Sequence, residues 1–342
     1  MHYKIYIFIF LIFTLLVSCS TTVNKSYEKE ISIAEKKEIL VQKKILINEM
    51  AKASIRIHKI SWPILLSNRE KCKNNKKKSY GSLFADVNDL PKEDKKIFLT
   101  LFNSNIDPRY FNKYQVDGFP IILSVAKDSP AYNAGLLKND IILEINETNT
   151  QKFRKKLLFV LESEKNLKFK ILRGKQEIKV NMTGIESCSY NVQVLPSGSP
   201  NAFADGEKVF ITMAAIKLAQ TKDELAFLIG HELAHNILHY KNFDASEANS
   251  LAINYLDKPK IRQIKSIIVW SNEKREIEAD IEGVHLAFKA GFSLENVNDY
   301  WRRLSVFNPE LIKKSVNIYK SNAYRAALIN KTLKKLKDKA NE

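Results

Sequence analysis

The stretch FLIGHELAHNILHY, Phe227 to Tyr240, carries three of the chain's six histidines. Within it His231, Glu232 and His235 form an H-E-x-x-H motif. On a helix, a spacing of four stacks two imidazoles on one face, one turn apart. Two nitrogens so placed can reach one Zn2+ at about 2.0–2.1 Å. Glu232 follows His231 about 100° around the helix, beside such a metal rather than on it. There it can act as general base on a zinc-bound water. The competing assignment is an ordinary amphipathic helix whose histidines are satisfied by carboxylates in a core. Phe227, Leu228, Ile229, Leu233, Ala234, Ile237 and Leu238 make the helix apolar nearly all round. Its polar side chains are therefore buried and need partners.

A catalytic zinc usually has three protein ligands and one open position. WSNEKREIEADIEGVHLAFKAGF, Trp270 to Phe292, predicts a second helix, with Ser271 as N-cap and Gly291 as its stop. Glu276 and Asp280 lie four apart on one face of it. Glu276 as third ligand and Asp280 as acceptor for an imidazole N–H would satisfy zinc chemistry. The alternative for this pair is a solvated face beside Lys274 and Arg275. His239 continues the four-residue series, but a fourth protein ligand would close the open position. It is read as a wall or core residue, and His285 as structural.

H-E-x-x-H and EIEAD together resemble the signatures of one family: zinc metallopeptidases that include HtpX, the CAAX prenyl endopeptidases and related periplasmic lipoprotein peptidases. The resemblance runs from about Asn201 to the C-terminus, where NAFADGEKVFITMAAIKLAQTKDELAFLIGHELAHN follows the family order. It implies one zinc per chain on His231, His235 and Glu276, with Glu232 as base and Asp280 behind a ligand. Some members place a histidine-proline pair six residues before an arginine near the C-terminus. Here Tyr319-Lys320 stands at the pair and Arg325 at the arginine. Tyr319 and Arg325 are thus candidates for an oxyanion or substrate contact.

Several elements must position these residues. Thr221 and Glu224 make a T-x-x-E capping box for a helix expected to run to about Lys241. EKVFITM, Glu207 to Met213, predicts a strand just before it. Val209 to Thr212 is the expected edge on which an extended substrate aligns. Residues from about 26 to 60 predict a helix that Trp62-Pro63 ends or redirects. KCKNNKKKSYGS, Lys71 to Ser82, reads as a polar loop.

FPIILSV, DIILEINE and LKFKILRGKQEIKVNM predict strands, the last a hairpin turning at Arg173-Gly174-Lys175. QKFRKKLLFVLESE predicts a helix between the second and third. This unit resembles a PDZ domain, most specifically through SPAYNAGLLKNDIILEINE, Ser129 to Glu147. Asn139 stands where that pattern has glycine, and asparagine tolerates a left-handed turn. The resemblance puts a peptide-binding loop at Asp117-Gly118-Phe119-Pro120, although Pro120 lacks an amide donor.

His2 and Lys4 precede an apolar run from Ile5 to Val17, too short to span a bilayer comfortably and suited to a signal peptide. Leu16-Val17-Ser18-Cys19 resembles a bacterial lipobox, which implies cleavage before Cys19 and acylation of its thiol. By analogy with proteobacterial sorting, Ser20 after it implies an outer-membrane anchor facing the periplasm. Cys72 and Cys188 can then pair in an oxidising compartment. A net charge of +17 would suit an anionic partner. No aromatic-and-basic motif of a nucleic-acid reader accompanies it, so nucleic acid is not an expected partner.

The expected class is α+β, a mainly helical zincin-type metallopeptidase domain with a short sheet plus a small PDZ-like β/α domain. Expected boundaries are 1–18 for the signal peptide, 19–107 for a helical segment and linker, 108–186 for the PDZ-like domain and 187–342 for the peptidase domain. The expected function is a zinc-dependent endopeptidase of the bacterial cell envelope. Its substrates would be unfolded or misassembled envelope proteins, with possible peptide capture by the PDZ-like domain. The alternative is a PDZ-bearing envelope scaffold or chaperone with a structural or inactive zinc site.

Overall fold

The computed structural model describes residues 25–73, 75–86, 90–102, 118–151, 161, 164–240, 272–315 and 319–342. The signal segment 1–18, Cys19, Asp117, Ser271 and most of the helix expected at 151–164 lie outside them. Residues 1–46 and 47–342 form two compact units. Helix α1, Lys25–Ser67, begins in the first and continues in the second.

α1 does not end at Trp62-Pro63 but runs through Pro63 to Ser67. Proline costs the helix one amide hydrogen bond. Burial of Trp62 and Ile64 on either side offsets that cost. Asn68 finishes the helix with its side-chain amide donating to the carbonyls of Ile64 and Leu286. The lysine-rich segment that follows is not simply a loop. Lys76–Ser79 forms strand β1, antiparallel to β8, Ile185–Cys188. Cys72 and Cys188 are disulfide-bonded, with Cα atoms 5.6 Å apart and a sequence separation of 116.

The PDZ-like sheet contains β2, Ser82–Ala85; β3, Ile121–Val125; β4, Ile141–Ile145; β5, Thr148–Asn149; β6, Asn166–Arg173; and β7, Gln176–Thr183. Their order is β2-β3-β4-β6-β7, with β5 paired to β4. β2 lies before residue 108, so the sheet draws on the segment expected to be helix and linker. That segment also holds α2, Lys92–Phe102. Between β3 and β4 a short helix, α3, Pro130–Asn133, is capped by Ser129. Asn139 takes φ 73°, the left-handed turn that asparagine tolerates. The β6–β7 hairpin turns at Gly174-Lys175.

The second sheet has three strands, β9, Asn191–Leu195; β10, Ala202–Ala204; and β11, Lys208–Thr212. β11 is central, antiparallel to β10 and parallel to β9. Both its edges are therefore used, and the strand expected to be a substrate edge is not one. The edge next to it is β10. Four helices follow among the described residues besides a short α4, Met213–Leu218. They are α5, Lys222–Leu238; α6, Glu273–Lys289; α7, Asp299–Phe307; and α8, Asn322–Ala340. One apolar core joins α1, one face of the PDZ-like sheet, the three-stranded sheet and these helices. A second core fills the other face of the PDZ-like sheet around Phe84 and Phe169.

Candidate metal centre

α5 starts where its capping residues place it. Thr221 Oγ1 accepts from the Glu224 amide at 3.2 Å, and Glu224 Oε2 accepts from the Gln220 amide at 2.8 Å. Arg303 also binds the Glu224 carboxylate. The helix ends at Leu238, with His239 as its C-cap, rather than at Lys241. α6 is capped by Asn272, whose Oδ1 accepts from the Arg275 amide.

The two helices cross at glycines. A Cβ on Gly230 would come 2.7 Å from the Gly283 carbonyl oxygen, and one on Gly283 would come 2.8 Å from the His231 amide nitrogen. Only hydrogens at both positions let the backbones approach so closely. That approach brings the imidazoles of α5 to the carboxylates of α6. Asn236 ties the same helix to the β10–β11 turn. Its side chain accepts from the Gly206 amide and donates to the Lys208 carbonyl.

His231, His235 and Glu276 meet at this crossing, with one ligand atom from each lying within 4.8 Å of the others. The two imidazole Nε2 atoms are 3.3 Å apart. Glu276 Oε2 is 3.3 Å from His231 Nε2, and Oε1 is 3.5 Å from His235 Nε2. A tetrahedron with arms of about 2.0–2.1 Å has edges of about 3.3–3.4 Å, so the spacing suits zinc. Charge points the same way. Glu232, Glu276 and Asp280 are buried, and so is the guanidinium of Arg325, the one buried arginine among the described residues. With all three ionised and both imidazoles neutral, as metal ligation requires, two negative charges are left, which one divalent cation would balance.

Asp280 is only 2% exposed. Its Oδ1 lies 2.9 Å from His231 Nδ1, which leaves Nε2 for a metal. Arg325 grips the same carboxylate in a fork, Nε to Oδ2 at 2.8 Å and Nη2 to Oδ1 at 2.5 Å. The guanidinium also lies 3.9 Å over the Trp301 ring. Arg325 is thus spent mainly on holding Asp280, although it also lines the cleft. Tyr319 lines the cleft too, 39% exposed, with its ring 5.6 Å from Arg325.

Burial raises the Glu232 carboxyl; His231 opposes this, Glu276 adds to it, and the result is about 7. Burial opposes ionisation of Glu276, but the neighbouring imidazoles of His231 and His235 hold it well below the usual carboxylate range. Burial lowers His231 too, yet the carboxylates of Asp280 and Glu276 outweigh it and lift the ring to about 10. His235 is lowered, chiefly by burial. The cluster therefore attracts positive charge while its second imidazole stays neutral.

Glu232 opens with His231 onto a cleft of about 600 Å3. Pro200, Asn201 and Ala202, leading into β10, form one wall; Trp301, Leu304 and Phe307 of α7 form the other. The sequence reading missed two contacts. His235 Nδ1 lies 2.9 Å from His239 Nδ1, and His239 Nε2 lies 3.1 Å from Glu278 Oε2. The EIEAD segment contains Glu278, but nothing in its spacing reveals a partner on α5. In the PDZ-like unit, Gly118–Pro120 lead into β3, which is paired on both sides. Among the described residues, the end strand on that side of the sheet is β2.

Residues 163–256 match the family described as Peptidase family M48, and residues 107–183 match the PDZ domain. The first match contains His231, Glu232 and His235 and stops before Glu276. The chain is 25% identical over 131 residues to "Mitochondrial metalloendopeptidase OMA1" of Saccharomyces cerevisiae. That similarity covers 35% of this chain and 38% of the relative, so the chain spans little more than a third of it. A crystal structure of the HtrA3 PDZ domain bound to a phage-derived ligand (FGRWV) is 18% identical, with a TM-score of 0.23. It covers 32% of this chain and 88% of that one.

Proposed function

We propose that this protein is a zinc-dependent endopeptidase, with zinc held by His231, His235 and Glu276. The observation that carries the reading is the convergence of these three ligand atoms beside Glu232 at the mouth of a cleft. The matches to a peptidase family and a metalloendopeptidase support it.

Zinc, when bound, would supply Lewis-acid polarisation of a scissile carbonyl and of a water. Glu232, 7% exposed and facing the cleft, takes the water's proton and returns it to the leaving amine. Asp280 orients His231 and is itself held by Arg325. An extended substrate backbone aligns on the β10 side of the cleft, the sheet edge nearest the base. Backbone alignment reads little sequence, and the α7 wall of Trp301, Leu304 and Phe307 accepts apolar side chains. Both features favour unfolded polypeptides, whose apolar residues are exposed. Tyr319, which lines the cleft, is a candidate donor to the developing oxyanion.

The site of action we propose is the bacterial cell envelope, through lipidation of Cys19. The disulfide between Cys72 and Cys188 supports an oxidising compartment. Peptide capture by the PDZ-like unit would use β2 rather than the Gly118–Pro120 segment. Turnover of a reduced, unfolded polypeptide tests the proposal. Glu232→Gln should retain zinc and lose about 10²–10⁴-fold in rate. Undiminished cleavage by that variant would refute the assigned base, and a folded, zinc-loaded wild type without turnover would point to a scaffold.

A further inference from the structure

His235 is the one proposed ligand whose remaining ring nitrogen meets no carboxylate directly. His231 Nδ1 lies 2.9 Å from the Asp280 carboxylate. His235 Nδ1 instead meets another imidazole, His239 Nδ1, at 2.9 Å. Two ring nitrogens at that distance need one proton between them, and each ring has two tautomers. The far end settles the polarity. His239 Nε2 lies 3.1 Å from Glu278 Oε2, and an ionised carboxylate only accepts. His239 must therefore carry its proton on Nε2, leaving a lone pair on Nδ1. His235 must then donate from Nδ1, which leaves its Nε2 lone pair facing His231 Nε2 and Glu276.

We infer that His239 and Glu278 are positioning residues that fix the tautomer and ring orientation of His235. The sequence of donors runs His235 Nδ1–H to His239, then His239 Nε2–H to Glu278. The inference rests on the metal-centre reading for its purpose, whereas the tautomers rest on the contacts of His239 with His235 and Glu278. The geometry of α5 supports it. His235 and His239 are one turn apart on the same face, and His239 is the C-cap residue. Its side chain is 7% exposed, whereas Glu278 is 44% exposed. The link therefore ties a buried ligand to a carboxylate at the surface.

The full chain, with 15N-labelled histidine, provides the test. Long-range nitrogen–proton NMR on the metal-free wild type should show His235 protonated on Nδ1 and His239 on Nε2. In chelator competition, His239→Leu and Glu278→Ala should weaken zinc about 10–100-fold. His239→Gln, which keeps an acceptor, should recover most of the loss. His235 protonated on Nε2, or His239→Leu binding zinc as tightly as wild type with its fold intact, would overturn the inference. If His239→Leu does not fold, the wild-type tautomers decide. A wild type with these tautomers that fails to bind zinc would refute the metal centre and leave the hydrogen-bond inference standing.

Discussion

Glu232 sets the pH behaviour expected of the site. A carboxylate base works only when ionised. Burial lifts this one to about 7, and the positive charge of a bound cation pulls it down again. Cleavage should therefore be full above pH 7 and fall with pH through a limb at or below about 7. A profile of kcat/KM between pH 5 and 9 checks this; a limb that rises toward acid would require a different base. Zinc affinity should weaken in the same direction, because His231, lifted to about 10 by Asp280 and Glu276, holds a proton that the metal must displace. That His231 and His235 share one face, and Glu276 and Asp280 another, was legible in the sequence, because helical spacing fixes it; that the two faces meet is what the structure adds. Arg325 was legible as a residue of interest but not as the partner of Asp280. Forty-five residues separate the two, and no local pattern encodes that distance.

At the level of elements, the site depends on how closely α5 and α6 approach. Gly230 and Gly283 are the contact, and the sequence offers no sign of it except glycine in the interior of each helix. Gly283→Ala adds a methyl group 2.8 Å from the His231 amide. The helices must separate to admit it, at a cost of about 1–3 kcal/mol. The midpoint of thermal unfolding should fall and zinc should bind more weakly, whereas Glu232→Gln should leave zinc in place. A Gly283→Ala chain as stable and as tight for zinc as wild type would show that the crossing has slack. Sheet order was likewise illegible. EKVFITM reads correctly as a strand, but its central position follows from β9 and β10 pairing on either side, which is long-range information. β1 and β2 were missed for a related reason. Each is four residues long and follows polar, lysine-rich sequence, and pairing rather than propensity makes them strands.

Across the whole molecule, the Cys72–Cys188 bond joins the segment just after α1 to β8, the strand between the PDZ-like sheet and the three-stranded sheet. It closes a loop of 116 residues, worth about 4–5 kcal/mol in the chain-entropy view. Replacing both cysteines with serine should lower stability by up to that amount in denaturant titration. It should leave the zinc content of the folded fraction unchanged, since neither sulfur reaches the metal centre. Loss of zinc from a folded double variant would instead tie the bond to the site. The pairing was open to expectation from cysteine count alone, but the distance that permits it was not. The mixture of helix and sheet and the PDZ-like unit were legible from alternating strand and helix patterns. The inclusion of β2 in the PDZ-like sheet was not, because residues 90–102, among others, intervene between it and β3.

Zinc per chain, measured by elemental analysis in the folded wild type and in Glu276→Ala, tests the central claim most directly. About one zinc in the wild type, lost or greatly weakened in the variant, is the expected result. No zinc in a wild-type protein shown to be folded would make His231 and His235 core residues satisfied by Asp280 and Glu276, and would remove the basis for a peptidase.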